Sequence, residues 1–267
     1  MSQPTFFGLM RIKNESRWIA RVIEAQLPLV DRLLILDDHS TDNTVEICER
    51  YDNVWVFRSP FEGLNESRDK SWLLQRAYEC IPMNDQHYTL GNAESPYWCL
   101  ALDGDEELLP TAPDLLRAAA QSGAADSYSV RILYAWDRPD QVRVDGVYAD
   151  FKRPSLFRLM NKAFTYKTTP WGGNLHCSSI PQEMIGGSRA CEAAVLHYGY
   201  LDAELRRRKY EWYSRVDGEN PAEDFYRHLT QGDPGGWPAS ARLKHAGPLR
   251  LEPLSTFVPQ DSLTAVK

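Results

Sequence analysis

Leu100-Ala-Leu-Asp103-Gly-Asp105-Glu106-Glu107 ends an apolar run, Tyr97 to Leu102, in four carboxylates among five residues. Two like charges about 4 Å apart repel by roughly 4 kcal/mol at an effective dielectric of about 20, so such a cluster at a partly buried strand end needs compensation. A divalent cation supplies it. Asp-x-Asp with a Gly between lets the backbone turn tightly and aims carboxylate oxygens at a hard cation that keeps positions open for phosphate oxygens and water. The competing reading is a solvated loop, with Glu106 and Glu107 favouring the start of a following helix. The sequence on either side of the stretch bears on the choice.

Upstream, strand-length apolar runs alternate with segments of helical spacing. Phe6 to Ile12 predicts a strand, and Ser16 to about Gln26 a helix with Trp18, Ile19, Val22 and Ile23 on its apolar face. Leu33 to Leu36 is a second strand. Asp37-Asp-His-Ser-Thr-Asp-Asn-Thr44 then leads into a helix reaching about Tyr51, with Ser40, Asp42 and Asn43 as candidate caps. Val54 to Phe57 is a third strand, Glu66 to Cys80 a third helix and Tyr97 to Leu102 a fourth strand. Strand and helix in strict succession predict βαβ units, hence an α/β fold with a mostly parallel sheet covered on both faces. Ligands of such sheets bind beyond the carboxyl ends of the strands. Three polar clusters fall there: Arg11-Ile-Lys13-Asn14-Glu15, Asp37-Asp38, and Asp103-Gly-Asp105-Glu106-Glu107.

From about residue 127 the pattern changes to an irregular α+β half. Ser127 to Ala135, Ser155 to Met160 and Ala193 to His197 predict strands, separated by loops rich in Gly, Pro and Trp. Residues 170–187 are turn-rich, and long irregular loops in compact domains are more often functional than not. Residues 202–214 read as helical, and Pro and Gly dominate 231–253. The 267 residues fit one large domain with appendages. No apolar stretch approaches the roughly 20 residues of a membrane span, and the first residues lack the basic and then apolar pattern of a signal peptide. Five scattered cysteines without a C-x-x-C point to a reducing, cytoplasmic setting. The formal charge of −7 argues against broad affinity for nucleic acid or anionic membranes, so a compact ligand is expected.

Together, Lys13-Asn14-Glu15, Leu36-Asp37-Asp38-His-Ser40-Thr-Asp42-Asn-Thr44, Asn65-Glu-Ser-Arg68-Asp69 and Leu102-Asp103-Gly-Asp105-Glu106 resemble the spaced motifs of GT-A fold nucleotide-sugar glycosyltransferases, family two in particular, over roughly residues 4–110. The resemblance implies a GT-A catalytic domain over 1–215, with a nucleotide-binding half (1–110) and an acceptor half (111–215), and a C-terminal extension over 216–267. It implies metal-dependent transfer of a sugar from a nucleoside-diphosphate sugar to a glycan or other hydroxyl acceptor, with inversion. Asp38 would accept a hydrogen bond from the donor's base, a role suited to an ionised carboxylate as a pure acceptor. Arg11 and Lys13 would lie beneath the nucleotide, and Arg68 would reach the nucleotide or diphosphate with its planar donor fork. Asp105 and His197 would hold the metal, with Asp103 acting on it directly or through the ribose and water. A mixed carboxylate and imidazole site suits Mn²⁺ better than Mg²⁺. Without the resemblance, these residues read as helix caps, surface charges, a helical ion pair and a hydrogen-bonded core histidine.

Arg206, Lys209 and Tyr213 share one helical face, either a solvated basic face or flanks for a diphosphate. An inverting transfer also needs a base for the acceptor's proton. Similar enzymes frequently carry His-Glu in a second-half loop, whereas this chain has Asn174-Leu-His176-Cys177-Ser178. His176 and Glu183 are left as candidate bases, with Asp150 a third, unless the reaction is retaining and uses none. Trp171, beside Gly172-Gly173, is a candidate platform for an acceptor sugar, or simple packing. Two rivals stand beside the transferase. A nucleotidylyltransferase usually carries a Gly-rich loop after its first strand, and Met10 to Ser16 has no Gly. A catalytically degenerate binding or scaffold protein is favoured only by the missing acid.

Overall fold

The structure is a computed structural model, and it describes residues 3–82, 95–160, 163–166, 177–216, 226, 229 and 249–258. Strand β1 (Thr5–Ile12), helix α1 (Ile19–Gln26), β2 (Arg32–Asp37), α2 (Thr44–Cys48), β3 (Val54–Arg58), α3 (Glu66–Glu79) and β4 (Tyr97–Ala101) follow one another as the periodicities predict. β1 lies between β2 and β4, β3 flanks β2, and all these ladders are parallel. Alternate side chains enter two different cores. Phe6, Met10, Ile12, Leu33, Ile35, Trp98 and Leu100 pack with Ile19, Val22 and Ile23 of α1. Phe7, Leu9, Leu34, Leu36, Tyr97 and Cys99 pack with Leu73, Leu74 and Ala77 of α3. Burial on both faces is why these strands read as unbroken apolar runs. Each fully buried Leu, Ile or Phe contributes about 1.5–3 kcal/mol.

The second half adds β5 (Glu106–Leu108), α4 (Ala112–Ser122), β6 (Ser127–Trp136), β7 (Arg138–Arg143), β8 (Lys152–Arg158), α5 (Gln182–Ile185), β9 (Arg189–His197), α6 (Ala203–Val216) and β10 (Leu251–Pro253). The ten-stranded sheet runs β10-β7-β6-β8-β4-β1-β2-β3, with β9 alongside β6 and β5. β8 joins β4 antiparallel and so ties the halves together, while β9 runs parallel to β6 and antiparallel to β5. The sheet is therefore parallel through the first half and mixed beyond it. Glu106 and Glu107 differ from expectation: they form β5, with Glu106 opposite His197, instead of starting a helix.

The described C-terminal residues belong to this sheet. β10 pairs with β7, and the Arg250 N–H donates to Asp145 at 3.0 Å. Leu254 and Val258 join a third core with Leu133, Val142, Tyr198 and Leu201. Beside them Arg143 is fully buried, bonded to Asp145 at 2.9 Å and sandwiched by the rings of Trp136 and Tyr148.

Candidate active site

The parallel ladders bring the ends of β1, β2 and β4 level. Arg11 sits opposite Leu36, Ile12 opposite Asp37, and the Leu102 N–H reaches the Leu9 carbonyl. The loops after β1 and β2 are then stapled together. Asn14, in the left-handed region at φ 55°, accepts from the Thr41 N–H at 2.8 Å. The Asn14 N–H donates to Ser40 Oγ, Glu15 N–H to Thr44 Oγ1 and Ser16 N–H to Asp42. The residues expected to cap α2 thus mainly fasten the neighbouring loop. Asn43 holds the cap position without a side-chain bond, and Asp42 accepts from the Thr44 N–H at 3.1 Å.

The two adjacent aspartates divide the work. Asp37 is buried and turns the chain by accepting from the Ser40 N–H at 3.1 Å. Asp38 lies just beyond the end of β2: its Oδ2 receives Arg11 Nη2 at 2.6 Å and Lys13 Nζ at 3.2 Å, leaving Oδ1 without a partner among the described residues. Arg11 also donates from Nε to Asp69 at 2.9 Å, and Arg68 Nε donates to the other Asp69 oxygen at 2.8 Å. Buried Asp69 is therefore the hub for two residues singled out by the motifs. It was missed because an acid in a first helical turn reads as a complement to the helix dipole. Arg68 is further anchored to the Gly63 carbonyl at 2.7 Å and lies over the Phe61 ring.

Beside this network opens a shallow cleft, lined by apolar Leu9, Leu73, Ala101 and Leu102 and by Arg11, Lys70 and Asp103. An apolar hollow with a few convergent polar groups is the usual form of a small-molecule site. Lys70 bridges its two sides, donating to the carbonyls of Cys177 and Ser178 at 3.0 and 3.3 Å and to Glu66 at 3.2 Å.

The opening stretch closes the site. Gly104 is needed for close approach: a Cβ there would lie 2.9 Å from both Glu15 Cγ and Ile12 Cγ2. Asp105 is buried, with Oδ2 3.6 Å from His197 Nε2 and 3.2 Å from Lys209 Nζ. Burial works against its charge, but Lys209 and then His197 outweigh that and bring the carboxyl down to about 2. Burial pushes the His197 imidazole down to about 4, so the ring is neutral at neutral pH. Burial, reinforced by Asp105, pushes Glu15 up to about 8. Asp103 stands apart from the pair: its side chain is 57% exposed and lies 3.5 Å from Arg153, whose guanidinium also pairs with buried Glu106.

Among the described residues no three carboxylate, imidazole or thiolate groups converge as a closed metal cage. One carboxylate and one neutral imidazole, whose Nδ1 is buried without a partner among those residues, fit an ion that keeps most positions for water and phosphate oxygens. Of the candidate bases, Glu183 lies on α5 and accepts from the Thr165 N–H at 3.0 Å. Asp150 is exposed and lies 3.5 Å from Lys152 Nζ. His176 and Trp171 fall outside the described residues. Arg206, grouped by spacing with Lys209, is a structural pin: it donates to the Tyr200 carbonyl at 2.9 Å and to Asp137 at 2.8 Å, over the Trp136 ring.

A sheet parallel in its first half and mixed in its second is the α/β arrangement that the GT-A resemblance implies. Residues 9–72 match the model of Glycosyl transferase family 2, and over that stretch the chain is similar to that family. An uncharacterized glycosyltransferase of Rickettsia conorii is 26% identical over 215 residues, covering 78% of this chain and 67% of that protein. One from Rickettsia felis is 26% identical over 209 residues, covering 76% and 65%. The chain thus spans about two thirds of the length of these relatives. Among solved structures, S. aureus TarS is 12% identical, with 85% of this chain and 44% of that one covered and a TM-score of 0.45. Glucosyl-3-phosphoglycerate synthase from Mycobacterium tuberculosis, in complex with phosphoglyceric acid, is 20% identical over 51% and 46%, with a TM-score of 0.33. Likenesses this loose carry no argument for the chemistry of this chain.

Proposed function

We infer that the chain transfers a sugar from a nucleoside-diphosphate sugar to a hydroxyl acceptor, with inversion and with the help of Mn²⁺ or Mg²⁺. The observation that carries this reading is the placement, beyond the carboxyl ends of neighbouring strands β2, β1 and β4, of the Asp38 carboxylate network and of Asp105 with its His197 partner. Asp38 Oδ1 accepts from the donor's base, oriented by Arg11 and Lys13, which Asp69 in turn positions through Arg11. The cleft over Leu9 and Leu73 receives the nucleoside, with Asp103 at its edge toward the ribose or the cation. Arg68 stiffens the loop bordering the nucleotide and offers its remaining donor capacity there. Asp105 and His197 hold the divalent ion, which when bound offsets the charge that develops on the diphosphate leaving group. Residues 111–215 provide the acceptor side, with Trp171 as a sugar platform and His176 or Glu183 taking the acceptor's proton. Five free thiols among the described residues fit a reducing compartment, and no described helix is long and apolar enough to cross a membrane.

The test is thermal stabilisation by a panel of nucleoside diphosphates with and without Mn²⁺, followed by release of free diphosphate from the matching nucleotide-sugar. A metal-linked shift that Asp105→Ala abolishes without loss of fold is expected. No metal-linked shift with any diphosphate overturns the reading, and pyrophosphate release from a nucleoside triphosphate redirects it to nucleotidyl transfer.

A further inference from the structure

Lys209 enters the Asp105–His197 pair from α6, a helix that follows the pair in sequence and brings its ammonium back to Asp105 Oδ2 at 3.2 Å. Gly199 completes the enclosure: a Cβ there would fall on Lys209 Nζ and Asp105 Oδ2 and come within 2.7 Å of His197 Cε1, so three functional groups meet around one point. The ammonium also lies 5.2 Å from the Tyr200 ring centroid, within cation–π range. Arg153, a second cation nearby among the described residues, is committed to Glu106 and Asp103. Asp105 therefore has its compensating charge supplied by the chain itself. A divalent ion on the same oxygen meets a like charge whose repulsion rises as the separation falls. Diphosphate changes that balance, because an ammonium on a four-carbon stem can turn from a carboxylate to a phosphate oxygen.

We propose that Lys209 is a resident counter-cation that competes with divalent metal for Asp105, so that metal enters readily only in company with the anionic diphosphate that takes over the lysine. This rests on the reading of Asp105 and His197 as metal ligands. Metal and diphosphate then bind as a coupled pair, each raising the other's affinity by the same factor. The lysine acts through Asp105 and is a positioning residue.

Binding of Mn²⁺ alone, without nucleotide, is measured by the electron paramagnetic resonance signal of free ion for wild type, Lys209→Met, Lys209→Arg and Asp105→Asn, each checked for fold by circular dichroism. Lys209→Met should bind Mn²⁺ at least about tenfold more tightly than wild type, within the usual range of site-to-site coupling. Lys209→Arg, which keeps the charge, should stay close to wild type, and Asp105→Asn should remove the binding. Lys209→Gln replaces the methionine variant if the latter does not fold. Equal, Asp105-dependent affinity in wild type and Lys209→Met overturns the competition and leaves the metal site standing. Absence of Asp105-dependent binding in every variant overturns both.

Discussion

Asp69 receives Arg11 and Arg68 on its two oxygens, so the direction of two guanidiniums is set by one buried acid. Asp69→Ala removes the acceptor for both and is expected to cost about 1–3 kcal/mol, the scale of leaving partly buried polar groups unsatisfied. Urea denaturation reads that loss, and nucleoside-diphosphate affinity should fall alongside it; an unchanged midpoint and affinity would show the hub to be dispensable. Gly104→Ala is a second residue-scale case. Its Cβ would press on Glu15 and Ile12 at 2.9 Å, and overpacking of this kind costs about 1–3 kcal/mol. At this scale the motif carboxylates were legible because like charges at a strand end demand explanation. Asp69 was not legible, because its partner Arg11 is 58 positions away and only folding makes them neighbours.

Among the elements, the first four strands and their helices could be read directly, since burial on both faces leaves a continuous apolar signature. β5 could not: two glutamates become strand residues because β9 supplies the ladder, Arg153 the counter-charge for Glu106 and Arg21 that for Glu107, all distant in sequence. β7, with Arg138, Pro139 and Asp140 exposed, carries almost no strand signal of its own. The loop after β2 yields a prediction with a pH signature. Burial alone would raise Asp42, but bonds from Thr44 and Ser16 lower its pKa below the ordinary 3.8. A depressed carboxyl contributes stability that is present above its unfolded pKa and lost as pH falls through the folded one. Asp42→Ala should therefore cost about 1 kcal/mol at pH 7, the usual net worth of such hydrogen bonds, and the difference from wild type should close as pH drops below about 4. Denaturation midpoints across that range measure it.

For the molecule as a whole, composition and alternation foretold an α/β body with a less regular second half, and said nothing of where the chain's end goes. The described C-terminal segment fills a core shared with β6, β7 and β9: Leu254 is 2% exposed. Leu254→Ala should cost about 2–5 kcal/mol, as for other buried leucines, read as a lower denaturation midpoint; a cost under about 0.5 kcal/mol, the level of a surface change, would mean the segment is merely draped over the body. Its Pro- and Gly-rich lead-in hid this from sequence, because a three-residue edge strand is too short to show any period.

The pairing of Glu106 with His197 has a consequence for how such a site can change over time. Asp105 stands one peptide before that rung, so the gap between carboxylate and imidazole is graduated in whole residues, like a caliper with fixed stops. Gain or loss of one residue within β9 would turn every later side chain to the opposite face, replacing the imidazole with Leu196 or Tyr198. Drift in loop length therefore cannot widen or narrow the gap by degrees. Within this ladder, the reach of the side chains at 105 and 197 is what remains to tune it.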